Sequence, residues 1–354
     1  MRKMWPATAY VFAVSSLLMP MVRASDFAVE VVDYDNTWSG TWSDPQVVLG
    51  RPTVDTVGDG RPGGPPPIPL ALVPVYPAMH PSEVFKLGTD GESGFGFVVV
   101  RFDHPIEDDP LNPCGIDFII FGNTFQEAGD DKFWQNGDPN LTFINSTRAS
   151  SEPGLVSVSA DGIHWQTFDQ GPYADTFCPT LGRIYDEENP EPSLLGNLWW
   201  GAPTDPTYPL HPAIKPSDFV GMSVAQMARR YGYSAGGTGF DLSWLNPPMP
   251  AIQYIKVVCQ FGQGTPEIDA FADVKARRFP DFDCDSDVDL DDVAFFEDCA
   301  TGPGLGPPTR PCLRADLDGD GDVDQTDFGL LQQCFSGPNR LANLNCLTAS
   351  GGQP

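Results

Sequence analysis

Two short stretches near the C-terminus carry the side chains with the clearest chemistry. Asp281, Asp283, Asp285, Asp289 and Asp292 fill the first, third, fifth, ninth and twelfth positions of one block, and Asp316, Asp318, Asp320, Asp324 and Asp327 fill the same positions of a second block beginning 35 residues later. With this spacing a 12-residue loop wraps oxygen ligands around one hard divalent cation, the seventh position (Asp287 or Asp322) adding a backbone carbonyl. Calcium is the ion this donor set predicts, one per block. Carboxylates crowded together in this way repel each other without a cation, so folding of the blocks and metal binding are expected to be one event. Gly321, sixth in the second block, allows a sharp turn through φ > 0, whereas Ser286 stands there in the first block at a cost in strain. The second site is therefore expected to bind more tightly.

The elements that hold these residues repeat with them. Each block runs into a similar segment, LDDVAFFEDCATGPG or QTDFGLLQQCFSGPN, that predicts a short exiting helix. Leu290, Val293 and Phe296 can share one face of the first helix, and Phe328, Leu331 and Phe335 one face of the second. Val288 and Val323, both eighth in their blocks, are placed to pair as a small β-bridge between the loops.

Residues 281–338 resemble the type I dockerin, a duplicated calcium loop and helix with Asp at the twelfth position, matched here by Asp292 and Asp327. The resemblance implies docking onto a cohesin-like module, and attachment to an extracellular or cell-surface assembly of the kind that degrades polysaccharides. Partner choice in that family depends on positions ten and eleven, often a Ser-Thr pair. Here they are Leu290-Asp291 and Gln325-Thr326.

The whole chain has 354 residues, with 20 Lys and Arg against 48 Asp and Glu, a formal charge of −28. Such acidity excludes nucleic acid and anionic membrane as natural partners, because phosphates must be met by clustered cations. Residues 1–24 predict a secretory signal: Arg2 and Lys3, an apolar run from Ala7 to Met21, and the small-residue site Val22-Arg23-Ala24. No other stretch has the roughly 20 apolar residues that span a bilayer, so the expected location is secreted, extracellular or cell-surface. Eight cysteines in an exported chain predict disulfides. Cys299 and Cys312 follow the first helix as Cys334 and Cys346 follow the second, predicting one bridge in each repeat. Cys114, Cys178, Cys259 and Cys284 leave three pairings open, of which Cys114–Cys178 with Cys259–Cys284 is the working expectation.

Residues 25–279 read as mainly β, a jelly-roll-like β-sandwich in front of the small α-helical dockerin-like module of residues 280–347, with a disordered tail at 348–354. Apolar runs such as FAVEVVDYD, FGFVVVRFDHPI, IDFIIFGNTF and AIQYIKVVCQF alternate with Gly, Pro, Asn and Asp. Asp161-Gly162 predicts a hairpin turn, residues 220–233 the one helix, and Arg51 to Pro77 an irregular loop. This region is similar to a β-sandwich of bacterial secreted and cell-surface proteins, carried by VVVRFDHPI, GIDFIIFGNTF, VSVSADGIHWQTF, SAGGTGFDLSWL and IKVVCQFGQGTPEIDAFADV. Its shape is similar to carbohydrate-binding sandwiches, so a polysaccharide or cell-surface ligand is the implied partner.

Within the sandwich, Asn123, Asp241, Glu267 and Asp269 could hold a further calcium, or serve as turn and capping residues. Trp134, Trp165, Trp199, Trp200 and Trp244 are candidates for sugar stacking or for the core, and of the adjacent pair Trp199-Trp200 one is expected to be buried. The four histidines are scattered, with neither an HExxH nor a GxSxG pattern, and spacing selects no catalytic carboxylate pair. The sequence thus favours a non-catalytic, secreted calcium-binding protein with a ligand-binding sandwich and a docking module. A glycoside hydrolase or accessory of polysaccharide breakdown is the alternative. A third reading makes the calcium loops a stabilising clamp on the sandwich.

Overall fold

The computed structural model describes residues 24–37, 39–52, 81–89, 94–127, 138–192, 198–260 and 262–347. The segment expected to be a signal sequence, apart from Ala24, most of the Pro-rich loop, Trp134 and the C-terminal residues 348–354 lie outside the described residues.

The described chain is mainly β. Its strands are β1 (Glu30–Asp35), β2 (Phe85–Lys86), β3 (Phe97–Glu107), β4 (Phe118–Gly122), β5 (Phe125–Gln126), β6 (Ala149–Ser150), β7 (Gly154–Ser159), β8 (Gln166–Thr167), β9 (Arg183–Tyr185), β10 (Trp200–Pro203), β11 (Thr238–Phe240), β12 (Ala251–Cys259) and β13 (Glu267–Asp273). One sheet has the order β1-β3-β12-β7-β8 and a second the order β11-β4-β13-β2. Alternation explains the first: Val98, Val100 and Phe102 of β3 and Ile255 and Val257 of β12 point into one buried cluster. Phe118 and Ile120 of β4, Phe271 of β13 and Phe240 of β11 enter the same cluster from the second sheet. The intervening Ile119, Phe121, Ala270 and Ala272 pack on the opposite side with Ile116 and Ala235. Burial on both faces is why β4 and β13 read as continuous apolar runs.

Asp161-Gly162 does lie in the β7–β8 hairpin, where Gly162 has φ +75° and Asp161 Oδ1 accepts from the amides of Ile163 and His164. The helical stretch is α1 (Val224–Tyr231), started by Ser223 and Gln226 in a capping box. Its apolar face, Val224, Met227, Ala228 and Tyr231, packs with Tyr185, Trp200 and Phe219 into a core of its own.

The C-terminal region contains α2 (Leu290–Cys299) and α3 (Gln325–Cys334) around a core of Phe282, Val288, Phe296, Leu317, Val323 and Leu331. Disulfides Cys299–Cys312 and Cys334–Cys346 form as expected. The other expected pairing is wrong: Cys114 bonds Cys284, while Cys178 and Cys259 are free and buried. Cys178 is enclosed in the α1 core, and Cys259 ends β12 with its thiol donating to the Gly264 carbonyl. Two of the helical-face residues are also corrected. Leu290 opens the first turn of α2 and Phe335 caps α3 just beyond its last helical residue, and both stay exposed.

Val288 and Val323 do not pair with each other. Instead the Val323 carbonyl accepts from Thr301 and Gly302, which follow α2, and the Val288 carbonyl accepts from Ser336 and Gly337, which follow α3. Their amides donate to Thr301 Oγ1 and Ser336 Oγ at 2.9 and 3.0 Å. Each repeat therefore closes the other's loop. Among the described residues no helix is long and apolar enough to cross a membrane.

Candidate metal centre

Each acidic block folds as a loop wound on its own backbone amides. Position four and position six both take φ > 0: Cys284 (60°) and Ser286 (76°) in the first, Gly319 (79°) and Gly321 (96°) in the second. Ser286 thus holds the conformation anticipated for it, one that costs an L-residue energy. Asp289 and Asp324 cap α2 and α3, accepting from the amides of Asp291 and Thr326 at 2.8 and 2.7 Å. Asp292 and Asp327 answer by accepting from the amides of Asp289 and Asp324, each at 2.8 Å. Their other oxygens accept from Phe282 and Leu317, tying the twelfth residue of each loop to its second.

The twelve aspartates gather into trios whose carboxylate oxygens lie within 4.8 Å of one another, close enough to hold a metal ion: Asp281, Asp283 and Asp285; Asp287, Asp289 and Asp292; Asp316, Asp318 and Asp320; Asp322, Asp324 and Asp327. Position seven differs from expectation, because its side chain joins a trio. Asp287 and Asp322 each spend one oxygen on an amide across the pseudo-twofold, that of Asn339 or Gly304. Their Oδ1 atoms are buried with no protein partner. A buried carboxylate oxygen without a donor is costly, and a cation is the ligand that suits it. The all-oxygen donor set fits a hard ion of the calcium type.

Electrostatics agree with that demand. Burial, then neighbouring carboxylates, push Asp281 up to about 7, Asp287 to about 6 and Asp292 to about 8. Burial also raises Asp283 and Asp318. These carboxyls resist ionising unless positive charge is supplied.

The first loop is fastened to the β region. The Tyr208 hydroxyl donates to Asp281 Oδ2, Ser286 Oγ reaches the Tyr231 carbonyl at 3.5 Å, and Cys284 carries the disulfide to Cys114. Within the module, Arg314 donates to the Phe282 carbonyl at 2.8 Å and stands over the Phe282 and Phe295 rings. Arg278 holds the Asp316 carbonyl and lies 3.4 Å from its carboxylate. Tyr208 left no trace in the spacing pattern. Cys284 did leave one: it stands at position four where the repeat has Gly319, so its partner had to lie outside the repeat.

Of the four sandwich residues expected to hold a further calcium, Asn123 and Glu267 meet, whereas Asp241 lies in another group. Asn123 is hydrogen-bonded to Glu267, which pairs with Lys86 at 2.6 Å, and Asp269 is buried in β13. Asp241 joins a different group, with Asp108 and Asp117. Burial first, then hydrogen bonds from Leu242 and Asn112 and the charges of Asp241 and Asp108, leave Asp117 at about 7. Of the tryptophans, Trp200 is a core residue packed edge-on against Tyr185, Trp199 and Trp165 are half-buried, and Trp244 is exposed. The chain matches no model of a known protein family and no curated protein.

Proposed function

We propose that this is an exported calcium-binding protein, in which a paired calcium-loop module of the dockerin type is mounted on a jelly-roll-like β-sandwich that binds an extracellular ligand. The orphaned Oδ1 atoms of Asp287 and Asp322, buried at equivalent places in the two loops, carry the calcium assignment. Bound calcium would supply positive charge that lets the crowded carboxylates ionise together. Asp281, Asp283, Asp285, Asp287, Asp289 and Asp292 would hold one ion, and Asp316, Asp318, Asp320, Asp322, Asp324 and Asp327 the other.

Docking to a cohesin-like module is supported by the exposure of positions ten and eleven. Leu290, Asp291, Gln325 and Thr326 all face solvent although the module packs on the β region. An apolar Leu290 that is 72% exposed at the start of a rigid helix is a natural anchor for a protein partner. The half-buried and exposed tryptophans support a polysaccharide or cell-surface ligand for the sandwich.

A second reading is favoured by the Cys114–Cys284 bridge and the Tyr208–Asp281 hydrogen bond: the module clamps the sandwich and needs no partner. A pull-down of the full chain with a cohesin panel, in calcium and in chelator, separates the two. Calcium-dependent capture supports docking, and no capture in calcium favours the clamp. A glycan array on the same protein, with an assay for released reducing sugar, tests the sandwich. Binding without release is expected, while release of sugar would replace this reading by a glycoside hydrolase.

A further inference from the structure

Among the described strands β11 ends its sheet, pairing with β4 alone. The segment around residue 177 lies against this edge: Gly237 donates its amide to the Cys178 carbonyl at 3.1 Å, and the Thr176 and Thr238 hydroxyls are 3.2 Å apart. With residues 210–214 these stretches line a cavity of about 470 Å³, within the roughly 300–1,000 Å³ of small-ligand sites. Trp244 lines it from the single 3-10 turn Leu242–Trp244, which Asp241 caps by accepting from the Ser243 amide at 2.7 Å. The turn follows β11 directly, so the sheet fixes the backbone that carries the indole.

Trp244, Phe177 and Ile214 give the cavity apolar surface, and Gln170, Thr176 and His211 give it amide, hydroxyl and imidazole groups. His211 accepts from the Ala213 amide through Nδ1 at 3.1 Å, so its proton sits on Nε2, and burial lowers the ring's pKa and keeps it neutral. Thr176 donates to the Tyr173 carbonyl at 2.7 Å, which leaves the Thr176–Thr238 pair with acceptor capacity, while His211 Nε2 is a donor and the Gln170 amide is both. No Asp, Glu, Lys or Arg is among the described residues that line the cavity, in a chain with 48 acids and 20 Lys and Arg. A charged ligand would find no counter-charge there, and an anion would also meet the field of a chain of net charge −28. Yet Trp244 is 45% exposed, the only exposed tryptophan among the described residues. The matching ligand has an apolar face to lie on an indole and an uncharged rim of hydroxyls that both donate and accept, which describes a pyranose ring. We propose that this cavity binds a neutral pyranose unit of an uncharged polysaccharide, stacked on Trp244 and hydrogen-bonded by Gln170, Thr176 and His211. The proposal rests on the reading of the sandwich as a glycan-binding domain, and gives that domain a site and a ligand class.

The test uses the full chain in millimolar calcium on affinity gels cast with hydroxyethylcellulose, xylan or galactomannan, and in parallel with the charged carboxymethylcellulose or chondroitin sulfate. At least one neutral polymer should retard the wild type, with Kd raised about tenfold in Trp244→Ala and largely restored in Trp244→Phe. Gln170→Ala should weaken binding by about threefold to tenfold, the loss of one hydrogen bond. Sodium chloride should leave the retardation unchanged, since no charge is engaged. Both side chains are exposed, so both alanine variants should melt as the wild type does, and Gln170→Ala carries the test if Trp244→Ala does not fold. Retardation that survives both substitutions would overturn this site while leaving the sandwich a glycan-binding domain. Retardation by the charged polymers alone, lost in salt, would overturn the neutral ligand class. Retardation by no polymer of either kind would remove the glycan reading and this site together.

Discussion

Tyr208 donates a 2.7 Å hydrogen bond to Asp281, so a side chain of the β region orients the first carboxylate of an acidic loop 73 residues away. Hydrogen bonds to charged groups contribute about 1.5–3 kcal/mol. Tyr208→Phe should lower the stability of the calcium-loaded protein by that order and weaken calcium at the first loop while sparing the second. Titration resolved into separate loop sites checks this, and equal weakening of both would count against it.

The Cys114–Cys284 bridge spans 170 residues, against 13 and 12 for the two bridges inside the module. In the chain-entropy picture the long closure contributes about 5 kcal/mol and each short one about 3. Cys114→Ser is therefore expected to lower the melting temperature of the whole chain and open the segment near residue 280 to protease. Cys299→Ser should perturb the module while leaving the two sheets protected, and limited proteolysis distinguishes the patterns.

Gly232, at φ 54° after α1, faces Ser286, and a Cβ there would run into the Ser286 side chain. Gly232→Ala should separate the module from α1, seen as faster amide exchange on both sides of the contact. Ser286→Gly removes a residue held at φ 76° and should stabilise by about 1 kcal/mol, since left-handed backbone costs an L-residue about 1–2. Because it also removes the obstacle, the double variant should recover most of the Gly232→Ala loss at the contact. Simple additivity of the two changes would contradict this geometry.

Asp292 and Asp281, raised to about 8 and about 7, set a pH dependence whose sign depends on metal. A carboxyl with a raised folded value holds its proton more tightly folded than unfolded. Without metal, its stabilising proton is therefore fully present below the ordinary value near 4 and is lost as pH climbs toward 8. Calcium bound there as proposed would reverse the preference by favouring the ionised form. Melting of metal-free protein should fall between pH 5 and pH 8, whereas in millimolar calcium it should hold level or rise. Parallel profiles in the two conditions would mean that these aspartates do not bind the ion.

What was legible in the chain was local. The aspartate spacing, the helix starts at Asp289 and Asp324 and the short disulfides all lie within about a dozen residues, where backbone geometry alone dictates neighbours. Apolar runs likewise exposed β3 and β12, and the Asp161-Gly162 pair the β7–β8 hairpin. The partners of these elements were not legible, because they depend on which distant surfaces meet. Pattern could not reveal that each loop is closed by the segment after the other repeat's helix, since Val288 and Val323 are equivalent in the repeat and pairing them was the simplest symmetric choice. Nor could it reveal that Cys284 would reach Cys114, that Tyr208 would hold Asp281, or that sheet register would bring Asp117 to Asp241. Spacing along the chain specifies which groups can bind an ion; the long-range packing of sheets against module specifies which of them are brought together, buried and left needing one.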